Sequence, residues 1–352
     1  MMSIGRIWFV ALLGMGAVLL AACGETPEDA IERAEAGYVS MDRDARQSVI
    51  DDLQEALDSE ADITSAERGR ATAWLGLLLV RHGRWEDART LLADFDATAD
   101  QLLAAGDPVP VVRGLGALGG ALVGLQRDFD AGPPLIRALE IAEDRKLMTD
   151  LVVIDPLIEM AWLTYLPGIG DKKGRTRSEA KAAAEAMLAQ AEVIAHADGG
   201  TDDPRLGIID LIRANILVGA PLDPGLSPET LDSLARDAAT LLELGLSRLP
   251  SDHPSRVAAL VMLAELNLGV CDVESMERLS QEAVEVAKTI YGDRADCTYR
   301  AREKYGEFVR YAGDDVRGRQ MILDARKIHF EDGGTSLQDP SEWEVSSFGC
   351  IE

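Results

Sequence analysis

From residue 26 onward, apolar side chains recur every three to four positions, the spacing of one face of an α-helix, with Glu, Asp, Arg and Ala between them. No stretch alternates β-branched and polar residues as a half-buried strand would. Turn chemistry interrupts the pattern at Gly83, Gly106-Asp107-Pro108, Gly199-Gly200, the 220–227 segment, and Pro250 to Pro254. Thr26-Pro27-Glu28-Asp29 and Ser227-Pro228-Glu229 each put a hydroxyl before a proline at the first helical position, a helix-start signature. The predicted elements are helices paired in seven hairpins, at 26–58, 64–105, 108–145, 147–197, 204–249, 254–291 and 294–330. The fold class is all-α.

Two landmarks repeat at fixed intervals. Gly76 and Ala88 lie 12 residues apart, as do Gly119 and Ala131, and each landmark recurs after 43 residues. Near the C-terminus, Ala264 to Gly306 and Ala283 to Ala325 both span 42. Small residues at Gly76, Ala88, Gly119 and Ala131 let the two helices of a hairpin approach closely. Large ones, Leu79, Leu92, Leu122 and Leu135, are expected to fill the space between successive hairpins. One hairpin cannot bury its apolar face alone, so such units stack into a solenoid. The 352 residues, about two domains by length, then become one stack of hairpins over 23–330 with a Gly, Ser and acid-rich tail over 331–352.

The run Ala73-Trp74-Leu75-Gly76 through Gly83-Arg84-Trp85-Glu86-Asp87-Ala88-Arg89 resembles the tetratricopeptide repeat family. Asp252-His253-Pro254-Ser255 through Leu263-Ala264-Glu265-Leu266 is similar to its longer, kinesin-light-chain-type repeats. The resemblance covers 64–145 and 254–330 well and the other hairpins poorly. It implies a right-handed solenoid whose ligands lie in the concave groove lined by the first helix of each hairpin. By helical phase, Arg70, Arg81, Arg113, Arg300, Lys304, Arg310 and Tyr311 would face that groove. The family's peptide-carboxylate clamp needs Lys and Asn where this chain has Ala73, Leu77, Gly116 and Gly120, so capture of an acidic peptide tail is not supported.

The N-terminus follows a different pattern. Arg6 precedes 14 apolar or small residues, Ile7 to Leu20, the make-up of a secretory signal. A spanning helix needs about 20 apolar residues. The run ends Leu20-Ala21-Ala22-Cys23, which resembles the lipobox of bacterial lipoproteins. That implies a signal peptide over 1–22 and a lipidated Cys23 as mature N-terminus, attached to the cell envelope and facing the periplasm. Gly24 stands where the enteric version of the family carries an inner-membrane retention Asp, which leans the assignment toward the outer membrane.

Composition narrows the chemistry. The chain has 61 acidic and 35 basic side chains, a net −26, and removing Arg6 with the signal leaves −27. Phosphate repels such a surface, so no nucleic-acid partner is expected. Against that background, Lys172, Lys173, Arg175 and Arg177 form one basic loop, a candidate contact for an anionic surface. The loop lacks the spacing and the lysine of a phosphate-binding loop. His82, His196, His253 and His329 fall in separate hairpins without ligand spacing, so no metal and no cofactor are expected. His253, ahead of Pro254, reads as a helix cap. No nucleophile or acid–base constellation supports an enzyme.

Of the four cysteines, Cys271 falls in the turn of the sixth hairpin and Cys297 at the start of the seventh, about 20 Å apart along the intervening helix, too far to bridge. Cys350 on the tail is expected to pair with Cys271 or Cys297, the alternative being three thiols. The expected function is a lipid-anchored interaction scaffold for a protein or peptide partner. The alternative is an accessory protein that binds a small molecule.

Overall fold

The computed structural model describes residues 27–37, 41–59, 63–166, 176–218 and 227–331. Residues 1–22, Cys23, Lys172, Lys173, Arg175, Cys350 and the 332–352 segment lie outside the described residues. Those described form an all-α helical-repeat solenoid, with no strand among them. The first hairpin is α1 (Pro27–Gly37) with α2 (Arg43–Asp58). The second pairs α3 (Ser65–Arg81) with a broken second half, α4 (Trp85–Leu91) and α5 (Phe95–Ala104). Next come α6 (Val109–Gly124) with α7 (Asp128–Asp144), and α8 (Ile154–Tyr165) with α9 (Arg177–Gly199). The last three are α10 (Pro204–Val218) with α11 (Pro228–Arg248), α12 (Ser255–Gly269) with α13 (Val273–Tyr291), and α14 (Asp296–Tyr311) with α15 (Asp315–Glu331). All seven sequence-predicted hairpins form, including the three in which the repeat signature is weak.

Local chemistry sets the helix ends. Thr64 and Glu67 form a reciprocal capping box on α3, with Glu67 accepting the Thr64 N–H at 2.7 Å, and Thr176 with Glu179 repeats it on α9. Ser227 caps α11, accepting from the Thr230 N–H at 3.3 Å. His253 accepts the Ser255 N–H on Nδ1 at 3.2 Å, the capping role its position suggested. Pro156 sits at the third residue of α8, where a missing N–H costs nothing, so the helix is not broken there.

Within each hairpin the small landmark residues set the spacing. A Cβ on Gly76 would lie 2.6 Å from Leu92 Cδ1, and one on Gly119 would overlap Leu135. Leu92 and Leu135 therefore seat on the glycine of their own hairpin, whereas the spacing pattern had placed them between hairpins. Buried Ala88 and Ala131 complete those contacts. The core runs in two large clusters, one through hairpins one to five and one through five to seven, with α10 contributing to both, and a smaller third cluster of Leu122, Ala131, Leu135 and Leu163 joins hairpins three and four. Leu206, Ile209 and Ile216 belong to the first, Leu211 and Ala214 to the second.

The α6 helix is approached closely by its neighbours. Its glycines lie on several faces, and its neighbours close over it. A Cβ on Gly116 would lie 2.7 Å from Pro156 Cγ on α8, and one on Gly124 would lie 2.6 Å from Trp85 Cδ2 on α4. With α3 and α8 both drawn onto α6, the side chain of Arg81 at the end of α3 reaches Asp155 at the start of α8, two hairpins on.

The sixth hairpin lies back against the first two. Arg43 at the start of α2 donates to the Thr289 carbonyl of α13 at 3.0 Å. Trp85 meets Tyr291 with ring centroids 5.8 Å apart. Gly83, in the α3–α4 turn with φ of 80°, lies so close to Tyr291 that a Cβ there would approach its ring carbon to 2.7 Å. The stack thus seats on itself along a seam.

Candidate functional site

Two places concentrate charge in low-dielectric surroundings: the groove along the first helices of the hairpins, and the seam between hairpin six and hairpins one and two.

The groove residues expected from sequence are largely engaged within the protein. Arg70 pairs with Glu28 of α1 at 3.2 Å and approaches Asp107 at 3.8 Å. Arg81 pairs with Asp155. Arg113 stacks its guanidinium 3.7 Å above the ring of buried Trp74. Lys304 pairs with Glu307 at 2.6 Å, and Arg310 with Asp315 at 3.2 Å across the last turn. Arg300 and Tyr311 are exposed. The basic groove read from helical phase is therefore charge-compensated along most of its length. Arg177, the one described member of the basic loop, opens α9 and donates to the Tyr165 hydroxyl at 3.2 Å, which joins α9 to α8.

Sequence reasoning missed the acidic partner of this groove. Glu159 of α8 lies beside Gly120 of α6, its Oε1 3.6 Å from where a Cβ on that glycine would stand. Burial pushes its carboxyl up to about 7, and Asp155 and Asp128 push the same way against the pull of Arg81. Because Arg81 already serves Asp155, Glu159 has neither a hydrogen bond nor an ion pair among the described residues. Farther along, burial also raises Glu265 of α12, which faces Lys304 and Glu307. Only the Gly-rich face of α6 hinted at this site, and glycine alone does not say what it faces.

The seam is built from cations. Arg46 of α2 is 3 % exposed and donates only to backbone carbonyls, to Met41 at 2.8 Å and to Arg81 at 3.3 Å. It therefore satisfies one orphan acceptor at the end of α3 and ties it to the residue that leads into α2. His82, the last residue of the α3 turn, and His253 ahead of α12 are both 7 % exposed. Burial holds His82 down to about 4, with Arg43, Arg46 and Arg84 adding to the shift and Asp252 opposing it. Burial likewise holds His253 down to about 3, reinforced by Arg81, Arg46 and Arg256. Both imidazoles are neutral at pH 7. The two histidines lie 171 positions apart, so no local motif announces the cluster.

Cys271, in the turn between α12 and α13, is disulfide-bonded, and Cys297 of α14 carries a thiol. Among the described residues no helix is long and apolar enough to cross a membrane.

Compared with known proteins, the chain matches no protein-family model, and no curated protein matches it significantly.

Proposed function

We propose that this protein is a lipid-anchored scaffold of the bacterial cell envelope, periplasm-facing and at the outer membrane, that recruits a protein or peptide partner through the groove of a tetratricopeptide-like solenoid. The run Leu20-Ala21-Ala22-Cys23 carries the anchoring half of this reading. Several acyl chains on Cys23, at about 0.8 kcal/mol per buried methylene, would hold an otherwise repelled −27 surface at a membrane. The stacked hairpins and the 42–43-residue interval support the recruiting half, because such stacks offer long concave faces.

Cell fractionation tests the anchor. The wild type is expected in the membrane fraction and Cys23→Ser in the soluble envelope fraction; a variant still held by membranes would contradict lipidation at this residue. The same fractionation tests the basic loop as an anionic-surface contact. In the lipidated chain, reversal of Lys172, Lys173 and Arg175 to Glu should make membrane retention weaker and less dependent on salt. No change in either would remove the loop from the mechanism. Arg177 is left intact in that experiment because its contact with Tyr165 joins two helices.

A further inference from the structure

We propose that residues 332–352 return along the last helix as a strap, joined to the α12–α13 turn by a Cys271–Cys350 disulfide, and cover the exposed apolar stripe of α15. The inference goes beyond the scaffold reading and rests on it at one point, the acylated Cys23.

The bond comes first. The chain has four cysteines. Cys271 is disulfide-bonded and Cys297 carries a thiol, so the partner of Cys271 is Cys23 or Cys350. A Cys23 whose sulfur carries lipid has no thiol to give, which leaves Cys350. Cys271 is exposed, in a turn with φ of 59°. The turns of hairpins two and seven, closed by the same pair of backbone hydrogen bonds, carry Gly83 and Gly313 at that position. Glycine is the unstrained residue there, and hairpin six presents a sulfur instead. Exchange with a disulfide-bearing oxidant of the envelope balances the step. The two thiols give up two protons and two electrons, their S–S bond forms, and the S–S bond of the oxidant opens to a dithiol.

The path comes second. Cys271 and Val316 lie at the same end of the stack, since Arg317 at the start of α15 pairs with Glu277 at the start of α13 at 2.6 Å. Glu331 ends α15 about 22 Å away, at 1.5 Å per residue. The 19 residues from Glu331 to Cys350 reach about 60 Å when extended. A strap so joined has to run back along the whole helix. Along that length stand Val316 and Leu323, 83 % and 60 % exposed and two turns apart on one face, while Ile322 and Ala325 are buried in the hairpin. No described hairpin follows to cover them, and an open solenoid end needs a cap. The segment supplies Trp343 and Val345, which alternate with Glu342, Glu344 and Ser346 and so share one side of an extended chain. Charge agrees. Residues 332–352 carry five acids and no Lys or Arg, whereas α15 has four cations against three acids in a chain of net −26.

The test uses the full chain, exported and purified without reductant. Peptide mapping by mass spectrometry should join the Cys271 peptide to the Cys350 peptide and find Cys297 open to alkylation. Amides of α15 should exchange at least about tenfold faster in Cys350→Ser and in Trp343→Ser than in wild type, with α3 and α6 unchanged. Both substitutions fall beyond the last hairpin, and circular dichroism checks that helix content is kept. Leu323→Asp, on the helix surface, should speed the same amides with the disulfide in place. Unchanged exchange of α15 in all three variants would overturn the inference, even with the disulfide present. Cys271 open to alkylation beside an acylated Cys23 would overturn the strap and leave the anchor. Cys271 joined to Cys23 would overturn both. Cys271 joined to Cys350 beside an unacylated Cys23 would keep the strap and overturn the anchor.

Discussion

Trp74→Ala is expected to destabilise the solenoid by about 3–5 kcal/mol, the range for truncating a buried tryptophan. The indole is 2 % exposed and ties three hairpins together. Its Nε1–H donates to Glu35 of α1 at 3.3 Å, its ring lies under Arg113 of α6 at 3.7 Å, and its own helix is α3. The cavity is only part of the loss, because Arg113 also loses its stacking partner, worth about 0.5–2 kcal/mol. Trp74→Phe keeps a ring under the guanidinium and forgoes the hydrogen bond, so it should cost about 1–2 kcal/mol. Chemical denaturation of both variants checks the ordering. If Trp74→Ala and Trp74→Phe cost the same, the ring does not join the hairpins as described.

The second large effect is in pH. His82 and His253 are held at about 4 and 3 in the fold, below their ordinary 6.5. A histidine whose folded pKa is depressed favours the folded state above its unfolded pKa, and that contribution falls away as pH drops toward the folded value. At pH 5 each histidine therefore costs about 2 kcal/mol, from 1.36 kcal/mol per unit over about 1.5 units. Glu159 works in the opposite sense. Its folded pKa is raised to about 7, so the fold gains as pH falls from 7 toward 4.5, by about 2 kcal/mol at pH 5. Asp128, Asp210 and Glu265, raised by burial, act in the same direction as Glu159.

Differences between variants isolate each contribution. Between pH 7.5 and 5, the His82→Gln/His253→Gln double variant should lose about 4 kcal/mol less than wild type, and Glu159→Gln about 2 kcal/mol more. Parallel stability curves for all three would show that these groups are solvated. Hydrogen exchange should place the acid-induced opening first at the seam, around the end of α3 and the start of α12, since His82 and His253 lie there.

Much of the architecture was legible in the chain. Gly83, Gly106, the 199–200 pair and the 250–254 segment mark the helix ends, and the structure breaks at each of them. Those signals are local: a left-handed φ, a missing N–H or a side-chain cap acts within a few residues. The hairpin pairing was legible for a similar reason, because helices joined by short turns have no nearer partner. Leu92 and Leu135 show the limit of periodicity. Their phase says that they are buried, but only packing says against which helix.

The candidate site divides the same way. Phase placed Arg70, Arg81 and Arg113 on first helices, but it could not say that Glu28, Asp155 and Trp74 would engage them. Neither Glu159 nor the His82–His253 seam could be found in one dimension. Glu159 becomes unusual only because α3 and α8 crowd onto α6 and half-bury it. The histidines become neutral and buried only because the stack winds back on itself.

By itself, then, the sequence determined an all-α chain of seven hairpins, an acidic surface, and an N-terminal run that resembles a lipoprotein signal, all properties of residues near one another. Only the tertiary structure decided how sharply the stack curves, which charges meet across 170 or more residues, and where a carboxyl stands without a counter-ion. Curvature accumulates from many helix–helix distances, each set by which side chain is missing at a contact, and desolvation depends on everything that surrounds a group.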